Sequence, residues 1–420
     1  VYTPATEDDS FTITGTIDGV ELYGGFDGSE TDRDQRDPDA NVTVLSGDVD
    51  RNDTVNGNGV TETASSINGP NANHVIVLNG GESIGPNIAP NITPNTVIDG
   101  VAISAGQTEG STRVDLSGGG IFCDGSGSGN ECSPTLRNVV FAGNDAGSGG
   151  ALYIDGDGGQ SSPEITQATF TSNLAIRGGA IYNRRATPII KDVSFTDNEA
   201  DNSGGALLNI VSTGEVASPT ITNAIFSGNA VPRGNGGAIS NIAAEGETNP
   251  QITNTAFTDN TASDAGGAIY NRASFPSATS SPKITNSIFT ANSVGPGFGG
   301  GAIYSTAVEG TSRPVLTNSI LWNNSAPDGG DEMDNNGATP TLRHTLIDGG
   351  VNGSGVEGDP NTDGGNNRDA DPLFVDAAQP AGNDGTFATS DDGLRLAGNS
   401  PAVDAGTNTP FESGGGAEEV

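Results

Sequence analysis

Apolar positions in this chain come in short runs of alternating character, broken by polar connectors rich in glycine, asparagine and proline, and no segment sustains a 3.6-residue period. Runs of three to five residues with a period of two predict β-strands and exclude long helices. The runs recur in a fixed order. One phrase reads Pro, any residue, Ile or Leu, any residue, usually Asn. It occupies residues 134–138, 163–167, 188–192, 219–223, 250–254, 282–286, 314–318 and 340–344. A second phrase, Phe-x-x-Asn, begins at Phe141, Phe170, Phe195, Phe226, Phe257 and Phe289, and Leu321 takes the Phe position in a seventh copy. A third, Gly-Gly-Ala-Ile/Leu, starts at Gly149, Gly178, Gly204, Gly236, Gly266 and Gly300, with a variant at Gly118.

Successive Phe positions are 25 to 32 residues apart. Three short strands in about 30 residues make one triangular coil, and stacked coils set equivalent strands side by side about 4.8 Å apart in parallel sheets. The expected fold is therefore all-β, a single right-handed parallel β-helix. Each repeated residue type then has a reason. Paired glycines permit a bend that β-carbons would obstruct. The Phe fills one core position in every coil, so six rings should form one buried stack. The Asn can build an amide ladder along the axis. Proline suits the first position of a strand, where a missing N–H is tolerated. The segment before each Pro varies in length, so its insertions should project from one edge of the solenoid, a natural place for ligand contacts.

The ends keep this texture with less regularity. Residues 1–117 hold apolar runs around Phe11, Leu22, Val44, Ile76 and Ile98, expected as irregular first coils. Residues 118–344 are the regular repeats, and 345–420 are expected to supply the last coils and a cap, since a solenoid end needs a polar cover.

The repeated phrases over about residues 118–330 resemble the passenger repeats of chlamydial polymorphic outer-membrane proteins. The N-terminal run from Val20 to Phe26, with Leu45-Ser46-Gly47-Asp48, is similar to that of secreted bacterial and archaeal right-handed β-helix repeat proteins. The phrases beginning at Asp371 and Ser400 resemble the segment that precedes variable anchors in surface proteins. These resemblances imply adhesion or surface coating.

Charge and cysteines narrow the class. The net charge is −37, with 53 acidic residues against 16 lysines and arginines. Such a field repels nucleic acid and anionic membranes and attracts cations. It fits either a salt-adapted protein or an ordinary acidic secreted one. No apolar run reaches the length of a transmembrane helix. The chain opens at Val1 without a methionine, as expected of an exported, processed protein. Cys123 and Cys132 flank a polar loop and are expected to pair in a disulfide, which suits an oxidising compartment. The expected location is the cell surface or beyond it.

Candidate chemistry is thin. Strand positions are filled by Thr, Asn, Ala and Ile rather than recurrent carboxylate pairs, and His74 and His344 lie far apart in a solenoid. The sequence thus points to a structural or adhesive protein that binds glycans or partner proteins and has no catalytic residues. The rival reading is a polysaccharide lyase or glycosidase acting on the β-helix face. Arg177, Arg184, Arg185, Arg233 and Arg272 could line a ligand stripe, or pair with the surplus carboxylates. Sequons at Asn41, Asn52, Asn91, Asn323 and Asn352 are candidate glycosylation sites. Calcium is the candidate cofactor. Its expected oxygen donors are Asp48, Asp50 and Asn52, then Asp369 and Asp371, then Asp384, Asp391 and Asp392. Open coil ends also invite end-to-end stacking into a homopolymer.

Overall fold

The computed structural model describes residues 1–80, 91–109, 112, 116–297, 299–358, 363–382 and 391–407. Its coils wind around three parallel sheets, as the phrases predict. One face is an eleven-stranded sheet running from Phe11–Thr14 to Val356–Glu357. The second has eighteen strands in two parallel rows, one built from the Pro phrase and one from the Phe phrase. The strands Ile189–Thr196 and Thr220–Ser227 run through both rows and fuse them into one bent face. A six-stranded sheet from Asp145–Ser148 to Ser293–Val294 closes the triangle. The described residues hold only three helical turns, each a three-residue 3-10 helix.

The bend between the two rows explains the last residue of the Pro phrase. Asn138, Asn223, Asn254, Asn286, Asn318 and His344 all have φ between 50° and 53°, in the left-handed region. Asparagine enters that region at lower cost than other residues with a β-carbon, so this position is a turn signal as well as a ladder element. The paired glycines divide two tasks. Gly178 has φ +62°, whereas a β-carbon on Gly179 would lie 2.1 Å from the Gly205 carbonyl oxygen of the next coil. The first glycine serves the backbone turn and the second serves the approach of neighbouring coils.

Register keeps like beside like. Phe141 pairs with Phe170, Phe170 with Phe195, Phe195 with Phe226, Phe226 with Phe257, and Phe257 with Phe289. All six are fully buried, and neighbouring rings stack with centroids 4.5–4.9 Å apart. Beside them runs a buried column of amides: Asn144, Asn173, Asn198, Asn229, Asn260, Asn292 and Asn324. Asn229 shows the unit. Its Nδ2 donates to Asn260 Oδ1 at 2.9 Å and to the Phe195 carbonyl at 3.0 Å. Its Oδ1 accepts from Asn198 Nδ2 at 3.0 Å and from the Asn198 backbone N–H at 3.1 Å. Each amide therefore binds the coil before and the coil after, and satisfies backbone groups in a place without water.

Two further columns repeat the arrangement. Asn183, Asn209, Asn241 and Asn271 form a second buried ladder that ends on Ser305. Asn223, Asn254, Asn286 and Asn318, at the left-handed turns, form a third on the outside, which starts from Asp192.

The variable segments gather at one edge, and they stack as well. Glu215–Val216 pairs with Gly246–Glu247, and the row continues through bridges from Glu247 to Thr279 and from Thr279 to Thr311. A small satellite core of Val211, Ala217, Ala243, Ala273 and Ala278 lies beneath.

The C-terminal segment runs up the side of the solenoid. Arg368 donates to the Pro401 carbonyl, His344 Nδ1 meets the Ala405 carbonyl, and Asn318 bonds to Thr407. From 401 to 407 the chain thus climbs back past the last coils.

The buried and exposed ladders make a matched test. Asn229→Ala strips partners from Asn198 and Phe195 inside the core and should cost on the order of 3 kcal/mol. Asn254→Gly removes an exposed amide but keeps the left-handed turn, and should cost about 1 kcal/mol or less. Urea denaturation of both variants checks the contrast; equal losses would contradict the role given to the buried column.

Candidate functional site

The five arginines do not form one stripe. Arg184 and Arg272 occupy the same rung position of the eleven-stranded sheet, separated by Ile210 and Ile242. Arg177 belongs to the six-stranded sheet on another face. Arg184 meets the buried Asp155 at 3.0 Å and also pairs with Asp157. Arg185 pairs with Asp157 and reaches Glu215 at 3.0 Å. Arg233 stands 4.0 Å from Asp201 on the surface. The Arg184–Arg185 group is an ion-pair network that ties three coils together.

A disulfide joins Cys123 and Cys132. The expected pairing is present, and although the residues between them are polar, both cysteines are fully buried. Cys123 lies in the strand Ile121–Asp124, and Cys132 in the short strand Glu131–Cys132, which pairs with Asn91–Ile92. The bond closes the base of the loop against the core.

Of the sequon asparagines, Asn52, Asn323 and Asn352 are exposed, and Asn41 and Asn91 are half-buried. Among the acidic candidates, Asp48 accepts the backbone N–H groups of Asn52 and Asp53 at 3.1 and 3.2 Å, and Asp50 accepts from Asn52 Nδ2 at 2.8 Å. Asp371 accepts the Leu373 N–H at 2.8 Å. These contacts are those of aspartates closing turns. Asp369 is exposed, Asp391 and Asp392 are half-buried, and Asp384 lies outside the described residues. Among the described residues, no group of three or more His, Cys, Asp or Glu side chains is placed to hold a metal ion.

Two clusters that the repeat pattern does not single out are each built on a fully buried carboxyl group. Asp99 is fully buried at the N-terminal end of the regular coils. Burial works against its ionised form. Hydrogen bonds from Arg36, Asn138 and Arg137 outweigh that, and the carboxyl is held below the usual carboxylate range. Arg36 Nη2 lies 2.7 Å from Asp99 and Asn138 Nδ2 lies 2.9 Å from it. Arg36 also stacks over the Tyr23 ring at 5.2 Å. The cluster clamps an N-terminal connecting loop to the body of the solenoid.

Glu332 ends the buried amide ladder. Its two oxygens accept the side-chain and backbone N–H groups of Asn324, where the next asparagine would otherwise sit. The register explains the substitution. Ile303 pairs with Met333, so Glu332 falls on the rung of the buried Ala302 and reaches across to the ladder. Burial pushes its carboxyl up to about 8, against the opposing effect of the Asn324 hydrogen bonds. The sequence carried a signal for it: Gly330-Asp331-Glu332-Met333 stands where the other coils have Gly-Gly-Ala-Ile/Leu, with a carboxylate at the buried alanine position.

Stacked coils of this kind define a parallel β-helix repeat protein. Residues 192–210 and 254–272 match the model of the Chlamydia polymorphic membrane protein repeat. Each matched stretch carries the left-handed turn residue, the stacked Phe, the ladder Asn and the paired glycines. The chain is thus a β-helix repeat protein whose repeats resemble those of that surface-protein family. No curated protein and no solved structure matches the chain. Among the described residues, no helix is long and apolar enough to cross a membrane.

Glu332 gives a pH signature. Its folded-state value, about 8, lies above the ordinary 4.5. The stabilisation it supplies is therefore complete below about pH 4.5 and is lost as pH rises through 8. Melting temperature should fall between pH 5 and 8 in the native chain, and Glu332→Gln, which can still accept from Asn324, should flatten that part of the profile. Parallel profiles for the two proteins would contradict this.

Proposed function

We propose that the chain is an extracellular structural or adhesive module that presents the edge of stacked variable loops to glycans or partner proteins. The carrying observation is that edge itself. Its loops differ in length from coil to coil, yet they are ordered by their own ladder and satellite core. They expose Val216, Phe275 and Val308 at 40%, 51% and 63%. Ordered loops with exposed apolar side chains can bind without a large entropic cost of ordering. The match to a surface-protein repeat supports the location.

This reading makes the chain a binder rather than an enzyme. It is supported by the structural roles of four buried or half-buried acidic groups: Asp99, Asp155 and Asp157 pair with arginines and Glu332 closes a ladder. Phe275→Ala with Val308→Ala should reduce binding to a panel of acidic and neutral polysaccharides and cell-surface proteins at least tenfold, with melting temperature unchanged. Catalytic turnover of any polysaccharide in that panel, abolished by one carboxylate or arginine substitution, would favour the lyase or glycosidase reading instead.

Calcium binding at the aspartate clusters and end-to-end assembly belong to the same proposal. The net charge of −37 favours cation capture. The first strands, Phe11–Thr14 and Glu21–Tyr23, each pair with one neighbour, Ile76–Asn79 and Val97–Asp99, and leave an edge that another coil can extend. Calcium should raise the melting temperature relative to chelator at matched ionic strength, and light scattering should show mass growing with concentration. An unchanged melting temperature and a strict monomer would remove both elements.

A further inference from the structure

The outer amide row has an aliphatic row beside it. Asn223, Asn254 and Asn286 stand at successive left-handed turns. Two residues beyond each come Ile225, Ala256 and Ile288, paired rung to rung and half-buried. The two rows run together along the axis at the coil spacing of about 4.8 Å. Two cavities lie on them. One, of about 520 Å³, is lined by Asn138, Val140, Gln167 and Thr169, with Arg36 and Pro38 of the N-terminal loop as its wall. The other, of about 630 Å³, is lined by Asn254, Ala256, Asn286 and Ile288, with Ala402 and Ala405 at its side. The bend between the strand rows is thus a trough with a stop at each end. Between the stops lie the turn positions Asp192, Asn223, Asn254 and Asn286.

We propose that this trough binds an uncharged oligosaccharide of the extended, β-1,4-linked kind, one sugar ring to a rung. The inference shares the extracellular setting of the adhesive reading but names a different site, so either can fail alone. A side-chain amide has two N–H donors and two acceptor lone pairs. The ladder engages one donor and one acceptor on each of Asn223, Asn254 and Asn286. One N–H and one lone pair remain on each. Asn318 shows what that pair can hold. Its Oδ1 accepts the Thr407 N–H at 2.8 Å, and its Nδ2 donates to the Thr407 carbonyl at 2.8 Å. The remaining groups of the row therefore reach outward to a neutral partner that offers one donor and one acceptor side by side.

Neighbouring hydroxyls on a sugar ring are such a partner, and the rest of the ring fits the second row. A pyranose carries hydroxyls along its edges and C–H groups on its faces. With an edge on the amides, a face lies over Ile225, Ala256 and Ile288, the pairing of apolar lining with a few placed polar groups that ligand sites use. Spacing selects the polymer. An extended peptide repeats its outward N–H and C=O groups every two residues, about 6.6 Å, and drifts off a row of about 4.8 Å after one rung. A β-1,4-linked chain advances by about one rung per ring. Charge selects the sugar. The row includes Asp192, and the chain as a whole carries −37, so a uronic acid polymer is repelled and a neutral one is not.

Isothermal titration calorimetry of the full chain with cellobiose, cellotetraose and tetragalacturonate tests the proposal. Cellotetraose should bind at least tenfold more tightly than cellobiose, because it covers more rungs, and at least tenfold more tightly than tetragalacturonate. Asn254→Gly combined with Asn286→Gly keeps the left-handed turns and removes the two amides. It should weaken cellotetraose binding at least tenfold, while melting temperature stays close to that of the parent. No binding of cellotetraose to the native chain would overturn the proposal without any variant being needed. So would equal affinity for the two chain lengths, tetragalacturonate binding as tight as that of cellotetraose, or binding that survives the double substitution. Binding lost in Phe275→Ala with Val308→Ala, but kept in the amide variant, would place the sugar on the loop edge and overturn the trough as its site.

Discussion

The structure depends on a buried amide meeting its own kind one coil away. Every coil of the regular region carries an asparagine whose side chain lies where water is excluded. A polar group there is tolerable only if all its hydrogen bonds are made. The partner that satisfies it is the same residue in the next coil, so the constraint passes from coil to coil from Asn144 to Asn324. A slip of one residue in any coil would break two bonds above and two below, and would also move a phenylalanine out of the stack. The apolar column contributes most of the burial; the amide column fixes the register.

This constraint accounts for where the repeat stops. At Asn324 no further asparagine follows, and the ladder is closed by Glu332 reaching from the alanine rung. It also accounts for what is free to vary. Loop lengths change most in the slot before each proline, outside both buried columns, and there the chain adds a shallow ladder of its own; the connection from the ladder asparagine to the paired glycines also varies, from five residues (144 to 149) to eight (292 to 300). Constant geometry in the core and variation outside it are consequences of the same packing rule.

Much of this was legible in the residues. Period-two runs gave the strands of the N-terminal coils, including Phe11–Thr14, Glu21–Tyr23 and Thr43–Ser46, because a strand's apolar alternation is local. The six-ring stack was legible because identical spacing puts identical residues on one column. What the sequence obscured were contacts set by depth and by distant partners. The cysteines sit in a polar stretch, so their burial against the core depends on how that loop folds back. Asp99 reads as one aspartate among many, until Arg36 and Arg137 are brought to it from 63 and 38 residues away. The course of residues 401–407 up the side of the solenoid depends on single hydrogen bonds to turn residues, which no periodicity encodes.

Side-chain amide hydrogen exchange, followed by NMR, tests the central claim most directly. Exchange reports whether an N–H is both bonded and sequestered. The account predicts that the side-chain amides of Asn144, Asn173, Asn198, Asn229, Asn260, Asn292 and Asn324 exchange at least a hundredfold more slowly than those of Asn223 and Asn254 on the exposed row. Comparable exchange for the two sets would contradict a solenoid held in register by a buried amide column.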